Sequence, residues 1–316
     1  MRTVGARWAT VALVVILAAL PMGVSSYVVS FLISVFLAVA LAGSWNLFSG
    51  TTGYVSLGHG LFFGIGAYSF AVSMVTFGLN PILSFTVAAV STAGCAFLLG
   101  IVLLTTRIRA AYFAIVMLGF SEIAKTLVAN NKFLGSSYGL TLPPLPNSLI
   151  AYYFLLALAV AVTLSFYFIY SSKWGYGLKA ILADEVAAEV TGVNTVALKM
   201  AMFVISGTLV GLAGAMIAWH WSYIDPYMAF DLAVSFDMVV MAMFGGVGSL
   251  WGPVLGAVAM SLLKEGLSTT IPQLHAIIFG TLVIGLILWR PGGIVELVVS
   301  LRNRLKRRAV ADEATK

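Results

Sequence analysis

Apolar runs long enough to cross a bilayer fill almost the whole chain, and a single long polar stretch, residues 171–199, divides them. Runs near 8–23, 27–44, 54–77, 81–104, 110–129, 149–170, 199–222, 229–244, 250–268 and 272–289 predict helical spans, since a span needs about 20 residues. The first run follows Arg2 and Arg7 and so also fits a signal peptide. It ends at Pro21-Met-Gly with no small-x-small cleavage site, and is read as a retained span. Two runs carry unusual breaks: Gly53-Tyr-Val-Ser-Leu-Gly-His-Gly60 and Gly245-Gly-Val-Gly-Ser-Leu-Trp-Gly-Pro253. Irregular backbone at membrane depth survives only where protein or water surrounds it. Each break is therefore either a permeation-path element or a loop between spans with glycine caps. The loop is the favoured reading for 245–253.

Composition agrees with this pattern. Of 316 residues 61% are hydrophobic and 9% charged, against roughly 25% charged in soluble domains. A mean hydropathy of +1.06 defines an all-α, polytopic integral membrane protein of about ten spans with broken or re-entrant segments. One cysteine, Cys95, excludes a disulfide framework and a cysteine metal site. The net charge is 17 − 11 = +6, and its placement reports topology. With ten spans, Arg2, Arg7, Arg107, Arg109, Lys173, Lys179, Lys199, Arg290 and the tail Arg302, Arg304, Lys306, Arg307 and Arg308 share one side. Only Lys132 and Lys264 fall near the other. The positive-inside rule makes the shared side, with both termini and the 171–199 loop, cytoplasmic. Two regions follow: a transmembrane domain over 1–295 and a basic cytoplasmic tail over 296–316.

Four ionisable groups lie inside predicted spans, where a charge costs about 2.5–3.5 kcal/mol. Glu122 and Lys125 stand at i, i+3 and can neutralise one another as a buried pair. Asp237 has no evident partner in its own helix and is a candidate to line a path, as is Glu122. His59 sits in the first break, where Ser56, Gly58 and His59 are path candidates; a histidine there can equally satisfy a backbone group. Small residues at four-residue spacing, Gly207/Gly211 and Gly248/Gly252/Gly256, allow close helix approach within the chain or in a dimer.

No Gly-x-x-x-x-Gly-Lys-Ser/Thr and no His-Glu-x-x-His occurs, and His59, His220 and His275 lack metal-ligand spacing. No nucleophile–base pair emerges. The chain reads as a non-enzyme without cofactor or metal, and as transporter or scaffold. Taken as one helix, Lys179–Val193 places Leu182, Val186, Val190 and Val193 on a stripe fit to rest on the membrane domain. Ala180, Ala183, Ala187 and Thr191 form a small-residue face fit for docking, with Asp184 at its edge. Glu185 and Glu189 flank the stripe, and Gly192 offers a stop. The acidic middle favours a protein partner over lipid headgroups, which select Lys and Arg.

Trp45-Asn-Leu47, Gly53–Gly60, Phe63-Gly-Ile-Gly-Ala-Tyr68, Leu178–Glu189, Gly211-Leu-Ala-Gly-Ala215 and Phe244–Ala257 together resemble the branched-chain amino acid permease family of ATP-binding-cassette importers, M-type subunit. The resemblance covers about residues 30–295. It implies a permease in a bacterial or archaeal cytoplasmic (inner) membrane, surrounded by lipid and passing a small polar solute. It implies two ATPase subunits, a homologous second permease and an extracytoplasmic solute-binding protein as partners, and no nucleic acid. The ATPase-engaging loop would carry Asp184, Glu185, Ala187, Ala188, Glu189 and Gly192. Leu182 departs from the family's usual arginine, and Asp237 stands where glutamate is commoner. Relatives carry urea, short amides or other small polar solutes. The rival readings are an ion-coupled secondary transporter using Glu122 and Asp237, and a scaffold that moves nothing.

Overall fold

The computed structural model describes residues 12–106, 108–270 and Gly280. The start of the first predicted span, Arg2, Arg7, Arg107, His275, the span at 272–289, Arg290 and the 296–316 tail lie outside the described residues.

Twelve helices are described: α1 (Ala12–Met22), α2 (Ser26–Thr52), α3 (Gly60–Val75), α4 (Pro81–Thr105), α5 (Ala110–Ala129), α6 (Ser148–Tyr170), α7 (Lys173–Ala183), α8 (Glu185–Val190), α9 (Thr195–Trp221), α10 (Pro226–Ala229), α11 (Leu232–Gly245) and α12 (Gly252–Thr270). Local chemistry sets many of the boundaries. Asn80, Asn147, Asn194, Asp225 and Asp231 each cap a following helix by accepting from its first free amides. Pro81 and Pro226 stand where the missing N–H costs nothing. Six described helical segments are long and apolar enough to cross a membrane: α2, α4, α5, α6, α9 and Pro226–Gly245. Helices α1 and α3 are apolar but shorter.

Helix α9 is the central element and packs on α2, α3, α4 and α6. Small residues let it do so. A Cβ at Gly66 would lie 2.0 Å from the Gly211 carbonyl oxygen, and one at Gly214 would lie 2.1 Å from that of Phe63. Gly207 faces Phe62 and Ala96. The four-residue glycine spacing thus serves packing within the chain. At one end a two-stranded antiparallel ribbon, β1 (Leu140–Thr141) with β2 (Tyr223–Ile224), ties the α5–α6 connection to the end of α9. The connection between α6 and α9, carrying α7 and α8, occupies the opposite end.

Two sequence expectations are corrected here. The 54–77 run is not one continuous helix. Helix α2 stops at Gly53, which takes the left-handed conformation (φ +77°) that glycine tolerates, and α3 begins only at Gly60. Nor is Lys179–Val193 one helix. Asp184 leaves the helical region (φ −162°, ψ 113°) and accepts from the Val186 and Ala187 amides, ending α7 and starting α8. A short side chain that can bond to the backbone two and three residues on competes with helix continuation.

Candidate functional site

The break at 53–59 turns back into the bundle. Leu182 of α7 packs against Gly53 at the loop end. Six residues later His59 Nε2 stands 2.7 Å from Ser206 Oγ, and Ser206 is 206 − 195 = 11 residues into α9. At 1.5 Å per residue that is about 16 Å toward the ribbon end. From this depth α3 continues to the ribbon, which it contacts. Protein satisfies the break: Trp45 Nε1 donates to the Ser56 carbonyl (2.8 Å) and the Ser56 amide donates to Ser49 Oγ (3.3 Å). The Gly60 amide donates to Ser235 Oγ of α11 (2.8 Å). Tyr54, Ser56, Gly58, His59 and Gly60 are all buried. The 53–60 segment is thus largely buried inside the bundle, as irregular backbone leading into α3, rather than a loop joining two complete spans.

His59 bonds two hydroxyls rather than backbone. Its Nδ1 lies 2.6 Å from Ser56 Oγ, and Ser206 Oγ donates to the Ser44 carbonyl (2.7 Å). With its proton so placed, Ser206 accepts from Nε2–H, and in a neutral ring Nδ1 then accepts from Ser56. Phe48, Phe62 and Phe203 surround the imidazole. Gly58 lies against α5, where a Cβ would come within 2.0 Å of the Met117 carbonyl oxygen.

The 245–253 segment is the loop expected, and a buried asparagine holds it. Asn46 of α2 accepts from the Gly248 amide (2.7 Å) and donates to the Ser249 carbonyl (3.1 Å).

The intramembrane charges are arranged differently from expectation. Glu122 and Lys125 do pair, at 2.6 Å, but their side chains are 37% and 23% exposed on an outer face of α5, so this is not a buried lock. Asp237 has a partner that lies on α12: Lys264 Nζ, at 3.4 Å. The structure does not bring Glu122 or Asp237 to the Ser56–Gly58–His59 break.

At the loop end Glu185 and Glu189 turn partly inward while Leu182, Val186 and Val190 turn outward, the reverse of what was expected of that stripe; Ala183, Ala187, Thr191 and Asp184 are exposed, as expected. Val186 and Val190 are 72% and 84% exposed, and Leu182 is 50% exposed though its tip touches Gly53. Asp184, Ala187 and Gly192 are also exposed. Ala188 is buried, and Glu189 accepts from Thr195 Oγ1 (2.7 Å). Glu185 forms a salt bridge with Lys199 of α9 and accepts from Tyr54 Oη (3.0 Å). Lys199 Nζ lies 4.4 Å from the centroid of the Tyr54 ring. Lys199, Tyr54, Asn46 and Ser206 were not among the expected site residues. For Lys199 the available signal was a lysine at the mouth of a predicted span, in a chain whose preceding loop carries acids.

An all-helical membrane bundle with a re-entrant break at depth and a short helix presented at one end has the build of a transport permease. A family model described as the permease component of branched-chain amino acid transport systems matches residues 27–287, and the chain belongs to that family. The high-affinity branched-chain amino acid transport system permease protein LivM of Escherichia coli is 27% identical over 93% of this chain and 76% of the relative. LivH of the same organism is 28% identical over 32% of each chain. The fructose import permease protein FrcC of Rhizobium meliloti is 28% identical over 42% of this chain and 38% of its own. No solved structure matches.

Proposed function

We propose that this chain is one of two homologous permease subunits of an ATP-driven importer whose solutes are branched-chain amino acids. The family match and the near-full-length likeness to LivM support the solute class. In this reading ATP is hydrolysed on two separate ATPase subunits, because the chain has no P-loop of its own. A solute-binding protein delivers at the ribbon end. The α7–α8 connection is cytoplasmic, in agreement with the basic residues on that side. Ten passes result when α1, the break with α3, α12 and the 272–289 segment join the six long spans.

One observation carries the mechanism: Leu182 of α7 and Val186 and Val190 of α8 are apolar side chains left exposed at the loop end. Apolar side chains gathered on a helix that faces water rather than lipid mark a surface for another protein, and a helix in a groove is a recurrent way to fill it. The ATPase is the occupant. Closure of the ATPase pair moves α8 as a rigid body against α9 and the break. Solute passes beside Ser56, Gly58 and His59; Glu122 and Asp237 serve structure, since lysines neutralise both.

The test is co-purification of the cognate ATPase with the wild-type chain and with the Val186→Asp/Val190→Asp double variant. The wild type should retain the ATPase, and the variant should lose affinity by about a hundredfold or more, as expected for two contact residues. Equal retention by both contradicts the assignment.

A further inference from the structure

The cluster of Glu185, Lys199 and Tyr54 joins three elements separated widely in sequence: α8, the first turns of α9, and the start of the re-entrant break. Lys199 is fully buried, with 0% of its side chain exposed. A buried charge persists only with partners, and here these are the Glu185 carboxylate, the Tyr54 hydroxyl (3.3 Å) and the Tyr54 ring. Beyond Tyr54 the contacts continue inward without a gap. The Tyr54 ring packs on Phe113 (5.6 Å between centroids), Phe113 on Phe48 (5.5 Å), and Phe48 on His59 (5.9 Å). Leu182 against Gly53 adds a second contact at the same hinge. The α7–α8 unit is thus fastened to α9 by an ion pair and to the break by the Tyr54 hydroxyl, which also meets Lys199, while its outward face is left free.

We propose that Lys199 is a positioning residue that locks α8 to the 53–59 segment, so that displacement of α8 is delivered to the His59 region of the path. This rests on the coupling role given to α8 above. Glu185 and Ala188 are then anchors of the docking helix rather than parts of its contact surface. Without the lysine the ATPase still finds the exposed Val186 and Val190 of α8, but its movement reaches the break incompletely.

The experiment uses the complete transporter in proteoliposomes, with the Lys199→Met and Tyr54→Phe chains, and reads three quantities: ATPase retained, ATP hydrolysed, and labelled leucine taken up per ATP. Lys199→Met should keep the ATPase and its hydrolysis yet lower uptake per ATP by about tenfold, within the range spanned by coupling networks. Tyr54→Phe, which keeps the ring and loses the hydroxyl, should lower it by about threefold. A merely structural lysine would reduce the amount assembled and leave uptake per ATP untouched. Wild-type uptake per ATP in both variants overturns the proposal. If Lys199→Met fails to assemble, the ratio measured with Tyr54→Phe decides. Loss of ATPase retention in a variant that still inserts would place Lys199 in docking and also overturn it. Failure of the wild-type chain to hold any ATPase would instead remove the coupling role itself.

Discussion

His59 and Ser206, 147 positions apart in sequence, meet through a 2.7 Å bond that fixes how deep the break between α2 and α3 reaches. Ser206 Oγ–H in turn donates a hydrogen bond to the Ser44 carbonyl of α2. One hydroxyl therefore joins α2, the break and α9 inside the bundle.

Replacing Ser206 by alanine leaves the His59 Nε2–H and the Ser44 carbonyl without this partner. The expected cost is about 1–3 kcal/mol, the penalty for unsatisfied buried polar groups. Thermal unfolding of the purified chain should show a clearly lower midpoint. An unchanged midpoint would mean that the bond adds nothing.

The cap at Asp184 makes a separable prediction. Asp184→Ala removes the acceptor for the Val186 and Ala187 amides and should destabilise α8 by about 1 kcal/mol. Hydrogen exchange at 186–190 should quicken several-fold, with α9 unaffected. Asp184→Asn should restore most of the protection, and equal exchange in all three chains would refute the capping role.

Two glycines give a contrast. At Gly58 a methyl group would stand 2.0 Å from backbone of α5, whereas at Gly94 nothing lies within 4 Å. Gly58→Ala must shift backbone, at a cost of about 1–3 kcal/mol or more. Gly94→Ala, in the interior of α4, should be neutral or stabilising by up to about 1 kcal/mol. Yields of monodisperse protein by size-exclusion chromatography should fall for the first and hold for the second.

Asp237 and Lys264 form a pair that a double-mutant cycle can weigh. Both side chains are partly exposed, so the coupling should be modest, about 1 kcal/mol or less. Asp237→Asn and Lys264→Met should each lower the unfolding midpoint, and the double variant should lose less than their sum. A proton- or sodium-linked role for Asp237 predicts instead that Asp237→Asn abolishes flux. The paired arrangement predicts that flux survives.

Much of this was legible in the residues. The apolar runs placed α4, α5, α6 and α9 to within a few positions and the start of α2, whose end lies eight residues beyond the predicted 44, because a bilayer dictates both length and composition. Glycine-rich polar sequence at 53–60 marked the break, because such a sequence does not extend a helix through lipid. The orientation of the α8 face was not legible. A helical wheel ranks faces by hydrophobicity and assumes that the apolar one is buried, yet α8 buries Ala188, half-buries Glu185 and exposes its valines. That inversion needed Lys199, whose burial depends on a tertiary contact with Tyr54. The partner of Asp237 escaped for a similar reason: Lys264 lies on the next helix, 27 residues away, and its charge was counted only as evidence of side.

The most direct test of the whole account is uptake of labelled leucine into proteoliposomes holding this chain, its sister permease and the two ATPases, with the binding protein supplied at the ribbon side. The account predicts uptake that requires ATP and the binding protein, and that Val186→Asp/Val190→Asp abolishes. Leucine uptake by the permease chains alone, driven by an ion gradient and indifferent to ATP, would contradict it.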